Sequence, residues 1–189
     1  MMGPVGIDWL NRTERDEEEN VTMAIDSMKL QPGMVIADIG AGSGYYSFRI
    51  AKKIGRGKVY AVEVQDEMID ALKTEKQQLQ DSIVEVVKGD SVSVNLPGSS
   101  IDLAIMVDVY HELEYPHEIL QSIKKALKPG GKILLVEYKG EDPKIPIRPL
   151  HKMTVAQADK EMQANGFISY YKGDFLPWQH FLEYKQTVR

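Results

Sequence analysis

Four carboxylates, three glycines and one histidine are spaced in this chain as if to hold a ligand and act on it. The glycines are Gly40, Gly42 and Gly44, in the run Asp38-Ile39-Gly40-Ala41-Gly42-Ser43-Gly44. A turn without Cβ atoms lets a ligand approach the backbone and tolerates positive φ. Glu63 ends the run Lys58-Val59-Tyr60-Ala61-Val62, Asp90 stands in Gly89-Asp90-Ser91, and Asp108 ends the apolar run from Ile101 to Val107. An acid at the tip of a strand can accept both hydroxyls of a ribose. That suits Glu63, and with the glycine turn it points to a nucleoside-bearing cofactor. His111 lies three residues past Asp108. It is placed to take a proton from a nucleophile, and a polar residue hydrogen-bonded at a strand end is the equal alternative.

These residues need a frame that gathers strand ends. Val35 to Ile39 is a short run of small and β-branched residues between Pro32-Gly33 and Gly40, the pattern of a buried parallel strand. Phe48, Ala51 and Ile54 follow at helical spacing, with Gly55 where a C-cap belongs. Strands are expected over 58–62, 83–88, 101–107 and 132–137, with Asp66 capping the helix after Glu63. Ile119, Leu120, Ile123, Ala126 and Leu127 share one helical face, followed by the turn Lys128-Pro129-Gly130-Gly131. Thr154 with Gln157 is a capping-box pattern, Asn165-Gly166 ends that helix, and two closing strands are expected from Phe167 to Tyr171 and from His180 to Gln186. Such alternation predicts an α/β fold with a doubly wound, mostly parallel sheet and a ligand site beyond the carboxyl ends of its strands.

At 189 residues the chain suits one domain with a substantial core. Residues 1–30 read as an N-terminal arm with a helix, and 31–189 as the cofactor-binding domain. The acidic cluster Glu14, Asp16, Glu17, Glu18 and Glu19 reads as a solvated helix face. Val21, Ala24, Ile25 and Met28 have the spacing of a face packed on the domain. Trp9 and Leu10 either cover the site or staple the arm to the core.

A dinucleotide fingerprint would put its third glycine at the position of Tyr45, so the register disfavours NAD. Asp-x-Gly-x-Gly-x-Gly, with Glu63, Gly89-Asp90-Ser91 and Asp108 in order after it, resembles the motifs of the class I S-adenosylmethionine (SAM) methyltransferases. The likeness runs over most of the chain, and its style resembles the type 11 and quinone-biosynthesis C-methyltransferases. The resemblance implies a Rossmann-like sheet of seven strands, the last antiparallel, and SAM as the cofactor. It implies that Gly40, Gly42, Gly44 and Tyr45 surround SAM and that Asp38 acts near its amino-acid end. Glu63 would hold the ribose, Asp90 with Ser91 the adenine edge, and Asp108 would stand where the donor meets the substrate. It also implies that an arm helix folds over the cofactor as a lid.

Absences narrow the acceptor. Without cysteine, arsenite-type thiolate chemistry is excluded, and the Asp/Asn-Pro-Pro-aromatic motif of amino-group nucleic-acid methyltransferases does not follow the fourth strand. The catechol-type metal site would need further acids beside Asp108, so no metal is expected. Phosphate-backbone binding typically needs a basic face, and with a net charge of −5 nucleic acid is not expected as a substrate. Lys52, Lys53, Arg56 and Lys58 form only a short cluster that complements a helix end. No apolar run of eighteen residues and no leader is visible. The expectation is a cytoplasmic enzyme, not on a membrane, acting on a small molecule, with a homodimer left open. His151 and Arg148 lie on a Pro-rich loop suited to substrate contacts, and Tyr45, Tyr46 and Tyr110 either line the pocket or pack. Two other functions share the pattern: a SAM-binding protein without catalysis, and an aminopropyltransferase-like enzyme using Asp108, Glu112 and Glu114.

Overall fold

The computed structural model describes residues 15–187. Their short β-branched runs form the inner strands of a sheet covered on both faces by helices. In chain order the elements are α1 (Arg15–Glu19), α2 (Val21–Ser27), β1 (Val35–Ile39), α3 (Tyr45–Ile54), β2 (Lys58–Glu63), α4 (Asp66–Gln78), β3 (Val84–Lys88) and β4 (Ile101–Val107). After a 3-10 turn at Tyr110–Glu112 come α5 (Pro116–Ala126) and β5 (Leu127–Lys139). A second 3-10 turn at Pro149–His151 leads to β6 (Lys152–Met153), α6 (Val155–Ala164), β7 (Phe167–Gly173) and β8 (Gln179–Gln186).

The strand order is β3-β2-β1-β4-β5-β8-β7, and β6 pairs with β5. β1 to β5 run parallel, and β8 is antiparallel to both β5 and β7. The expected fold is present, with one strand more than seven: β6, two residues paired with Tyr138 and Lys139. From β1 the chain winds outward through β2 and β3, then returns to place β4 on the other side of β1. That switch point opens a crevice at the carboxyl ends of β1 and β4. One core cluster joins α2, α3 and Leu72 of α4 to one face of the sheet, and the other joins α5 and α6 to the opposite face. Val21, Ala24, Ile25 and Met28 are buried, so the arm's apolar face packs as its spacing predicts.

Several local expectations shift. β5 is longer than 132–137 because it begins before the Pro-Gly-Gly turn: Leu127 pairs with Ile101 and Lys132 with Leu103, so the turn loops out as an irregularity inside the strand. Asp66 is the first helical residue of α4 rather than its cap, which is Gln65. At α6 the Thr154 hydroxyl accepts from the Gln157 amide at 3.1 Å, but Gln157 turns its side chain to Glu161, so half of the capping box forms. Within the acidic cluster, Glu19 is not solvated. It is fully buried and accepts the Tyr138 hydroxyl at 2.9 Å.

Candidate active site at the carboxyl edge of the sheet

The residues after β1 turn sharply because glycine permits it. Gly40 has φ 72°, and a Cβ there would stand 2.7 Å from the Val109 methyls. Gly44 has φ 87° and caps α3, where a Cβ would collide with Phe48 and Leu72. These two glycines are therefore required by the protein's own packing, whatever the ligand requires.

Asp38, Gly40, Gly42, Tyr45, Glu63, Asp90, Ser91 and Asp108 all line one cavity of about 500 Å³. Gly44 lies behind the turn rather than on that wall, because its open side is filled by Phe48 and Leu72. His111 is also not among the described residues of the lining, although Glu112 is. Lys88, Gln65, Met68 and Ile119 join the wall without having been expected there. Of the tyrosines, Tyr46 lines the cavity, while Tyr110 is buried in the core, where burial first and the nearby Glu161 and Glu137 next push its phenol far above its ordinary value.

Each carboxylate is already held by donors. Asp38 is buried and accepts the Ser47 hydroxyl at 2.6 Å. Glu63, also buried, accepts from the amides of Gly42 at 2.9 Å, Val64 at 2.7 Å and Gln65 at 3.1 Å. It thereby ties the glycine turn after β1 to the start of α4. Asp90 accepts from the Val92 and Ser93 amides, so it is a turn residue and a wall residue at once. Asp108 adopts φ 54°, uncommon for a residue with a Cβ, and accepts the buried Gln179 amide at 2.7 Å. Amides, a hydroxyl and a carboxamide aimed at these acids offset the repulsion of gathering them at one edge.

Beside the cavity a second group forms. His111 Nδ1 is 2.5 Å from Glu137 Oε2, and Glu137 Oε1 accepts from the amides of Val109 at 3.2 Å and Tyr110 at 2.8 Å. Glu137 is fully buried. Burial of the imidazole favours its neutral form, but the hydrogen bond to Glu137 and the charges of Glu137 and Glu112 outweigh it, so the His111 pKa lies above the usual histidine value. His151 Nδ1 is 3.2 Å from His111 Nε2. His117 and His180 have other partners, the Asn165 side chain and Glu141. Arg148 is exposed, and its carbonyl receives the His151 amide. Glu137 was missed by inspection of the sequence, yet a lone acid closing Leu134-Leu135-Val136 carried the same strand-end signal as Glu63 and Asp108.

Tyr45 links the site to the arm: its hydroxyl is 3.4 Å from Asp16 Oδ1, and Arg49 stacks on its ring at 3.5 Å. Trp9 and Leu10 lie outside the described residues. Among the described residues no helix is long and apolar enough to cross a membrane.

Comparison with known proteins bears on this geometry. Residues 37–135, just over half of the chain, match the family described as a methyltransferase domain. A demethylmenaquinone methyltransferase of Oceanobacillus iheyensis is 26% identical over 111 residues, covering 58% of this chain and 47% of that protein. A protein-L-isoaspartate O-methyltransferase of Pyrococcus horikoshii is 30% identical over 115 residues, covering 61% and 49%. The chain spans about half the length of these relatives. Among solved structures, a SAM-dependent methyltransferase from Aquifex aeolicus superposes with a TM-score of 0.90 at 24% identity, over 97% of this chain and 98% of that one, a likeness of fold. With the match running from the glycine turn through β5, and the sheet order and strand-end acids in place, the chain belongs to the class I methyltransferase-domain family.

Proposed function

We propose that the cavity binds SAM and that the protein transfers its methyl group to a small-molecule acceptor. One observation carries the reading: the glycine turn, Glu63, Asp90-Ser91 and Asp108, from four successive strands, meet on a single cavity of about 500 Å³. The donor set fits the ligand. A carboxylate offers about four acceptor positions, and three amides occupy part of the set on Glu63, leaving capacity for ribose hydroxyls. Asp90 and Ser91 face the adenine edge. Asp38, Gly42 and Tyr45 serve the amino-acid end, Gly40 shapes the turn with Gly44 behind it, and Asp108 stands where donor and acceptor meet.

When bound, SAM supplies a methyl already activated on a sulfonium. The chain's part is to position the acceptor in line and exclude water. For an acceptor that must lose a proton, His111 acts at the acceptor end: Glu137 takes its Nδ1–H, and its Nε2 lone pair is turned toward the rim, where Glu112 is part of the wall. The arm is tied through Asp16 to the wall residue Tyr45 and through Glu19 to Tyr138, which supports a role for it beside the cofactor.

The names of the two relatives point to different acceptors, a demethylmenaquinone and a protein isoaspartate. The short inserts of this chain favour a small acceptor, and its net charge of −5 disfavours nucleic acid. The cytoplasm is the matching location, and a monomer or a homodimer fits the reading equally. Calorimetry with SAM and S-adenosylhomocysteine is the test, followed by release of S-adenosylhomocysteine across a panel of small O-, N- and C-nucleophiles. Failure to bind either ligand defeats the proposal, and binding without turnover on any acceptor assigns the pocket to a SAM-binding protein instead.

A further inference from the structure

The two 3-10 turns bring three ligand-type groups to one point beside the cavity. His111 Nε2 and His151 Nδ1 are 3.2 Å apart, His151 Nδ1 and Glu112 Oε1 are 3.4 Å apart, and His111 Nε2 and Glu112 Oε1 are 3.9 Å apart. Two ligands of one tetrahedral zinc ion, each about 2.0–2.1 Å from it, stand about 3.3–3.4 Å from each other. Two edges of this triangle are close to that length, and the third, between His111 and Glu112, needs only a small rotation of the partly exposed Glu112 side chain.

The surroundings are also those of a metal centre. Glu137, wholly buried and fixed by two amides, stands 2.5 Å from His111 Nδ1. As a carboxylate it accepts the Nδ1–H, which leaves the Nε2 lone pair directed at the convergence point. Histidines that bind metals are oriented in this way by an outer carboxylate. With neutral imidazoles the group carries the negative charge of Glu112 and Glu137, which a cation compensates.

We infer that His111, Glu112 and His151 form a binding site for one divalent first-row transition ion of the zinc class, with Glu137 as the residue that positions His111. Two imidazoles and one carboxylate suit such an ion and leave a coordination position open. Because Glu112 also lines the cavity, the ion stands at its rim and can hold an acceptor oxygen, lowering its pKa in place of a side-chain base. That use rests on the methyl-transfer reading; the site itself does not.

The test titrates Co²⁺, and then competing Zn²⁺, into chelator-treated protein, following the visible absorption of the bound cobalt and its stoichiometry. One equivalent at micromolar affinity with a low-symmetry, near-tetrahedral spectrum is expected. His151→Ala and Glu112→Gln, changes at partly exposed positions, should abolish stoichiometric binding with the circular dichroism of the fold retained. Glu137→Gln should weaken binding about 10- to 100-fold. Absence of stoichiometric cobalt binding, or its survival in both His151→Ala and Glu112→Gln, overturns the site and leaves a histidine pair sharing a proton. Cobalt binding is read without SAM, so failure of the SAM calorimetry removes the methyl-transfer reading and leaves this result standing.

Discussion

Glu63 illustrates how one side chain can serve fold and ligand together. Its carboxylate closes the glycine turn through Gly42 and starts α4 through Val64 and Gln65, while lining the cavity. Glu63→Ala should weaken SAM by about 1.5–3 kcal/mol, the range for hydrogen bonds to a charged group, measured by calorimetry; an unchanged affinity removes Glu63 from the site. Glu137 has a different burden. Replacing it by alanine leaves the Tyr110 amide and the His111 ring without their partner in a buried place, and chemical denaturation should register a loss of about 1–3 kcal/mol. Recovery of most of that loss in Glu137→Gln, which keeps one acceptor, would separate lost hydrogen bonds from lost charge.

At the scale of elements, the junctions carry the constraints. Gly40 joins β1 to the turn at φ 72° with Val109 packed where a Cβ would be. Gly40→Ala should cost about 1–3 kcal/mol through backbone strain and overpacking, and Val109→Ala should restore part of it in the double variant; additive losses would show that the contact is not the cause. The start of α6 depends on Glu141, whose carboxylate accepts the Val155 amide at 2.8 Å and meets His180 at 2.7 Å. Burial acts against its ionisation, but the Val155 amide and His180 prevail and hold its pKa below the ordinary 4.5. A lowered folded-state pKa stabilises the fold above the unfolded value and is lost as pH falls through the folded one. Glu141→Gln should therefore lower Tm slightly at pH 6, with the gap narrowing as pH falls below about 4.5 toward the lowered folded-state value. A gap that widens on acidification would contradict this assignment.

For the molecule as a whole, a ligand that binds only the folded state adds stability by mass action. At one hundred times its Kd, SAM should contribute about 2.7 kcal/mol, or a rise in Tm of about 5–10 °C for a domain of this size, read by thermal denaturation; NAD at the same concentration should give none. The sequence by itself determined the α/β fold, the inner strands and four of the acids that line the cavity, because each is written in a short window: β-branched runs, helical spacing and the register of glycines against Asp38. Asp38, Glu63, Asp90 and Asp108 converge simply because parallel strands end on the same edge. Only the tertiary structure decided what those residues touch. His111 meets Glu137 and His151 across 26 and 40 residues, Asp108 meets Gln179 across 71, and Glu19 meets Tyr138 across 119. Such pairs depend on strand order and on where the loops return, which no local periodicity encodes, and for that reason the histidine–glutamate centre at the rim became visible only in the folded chain.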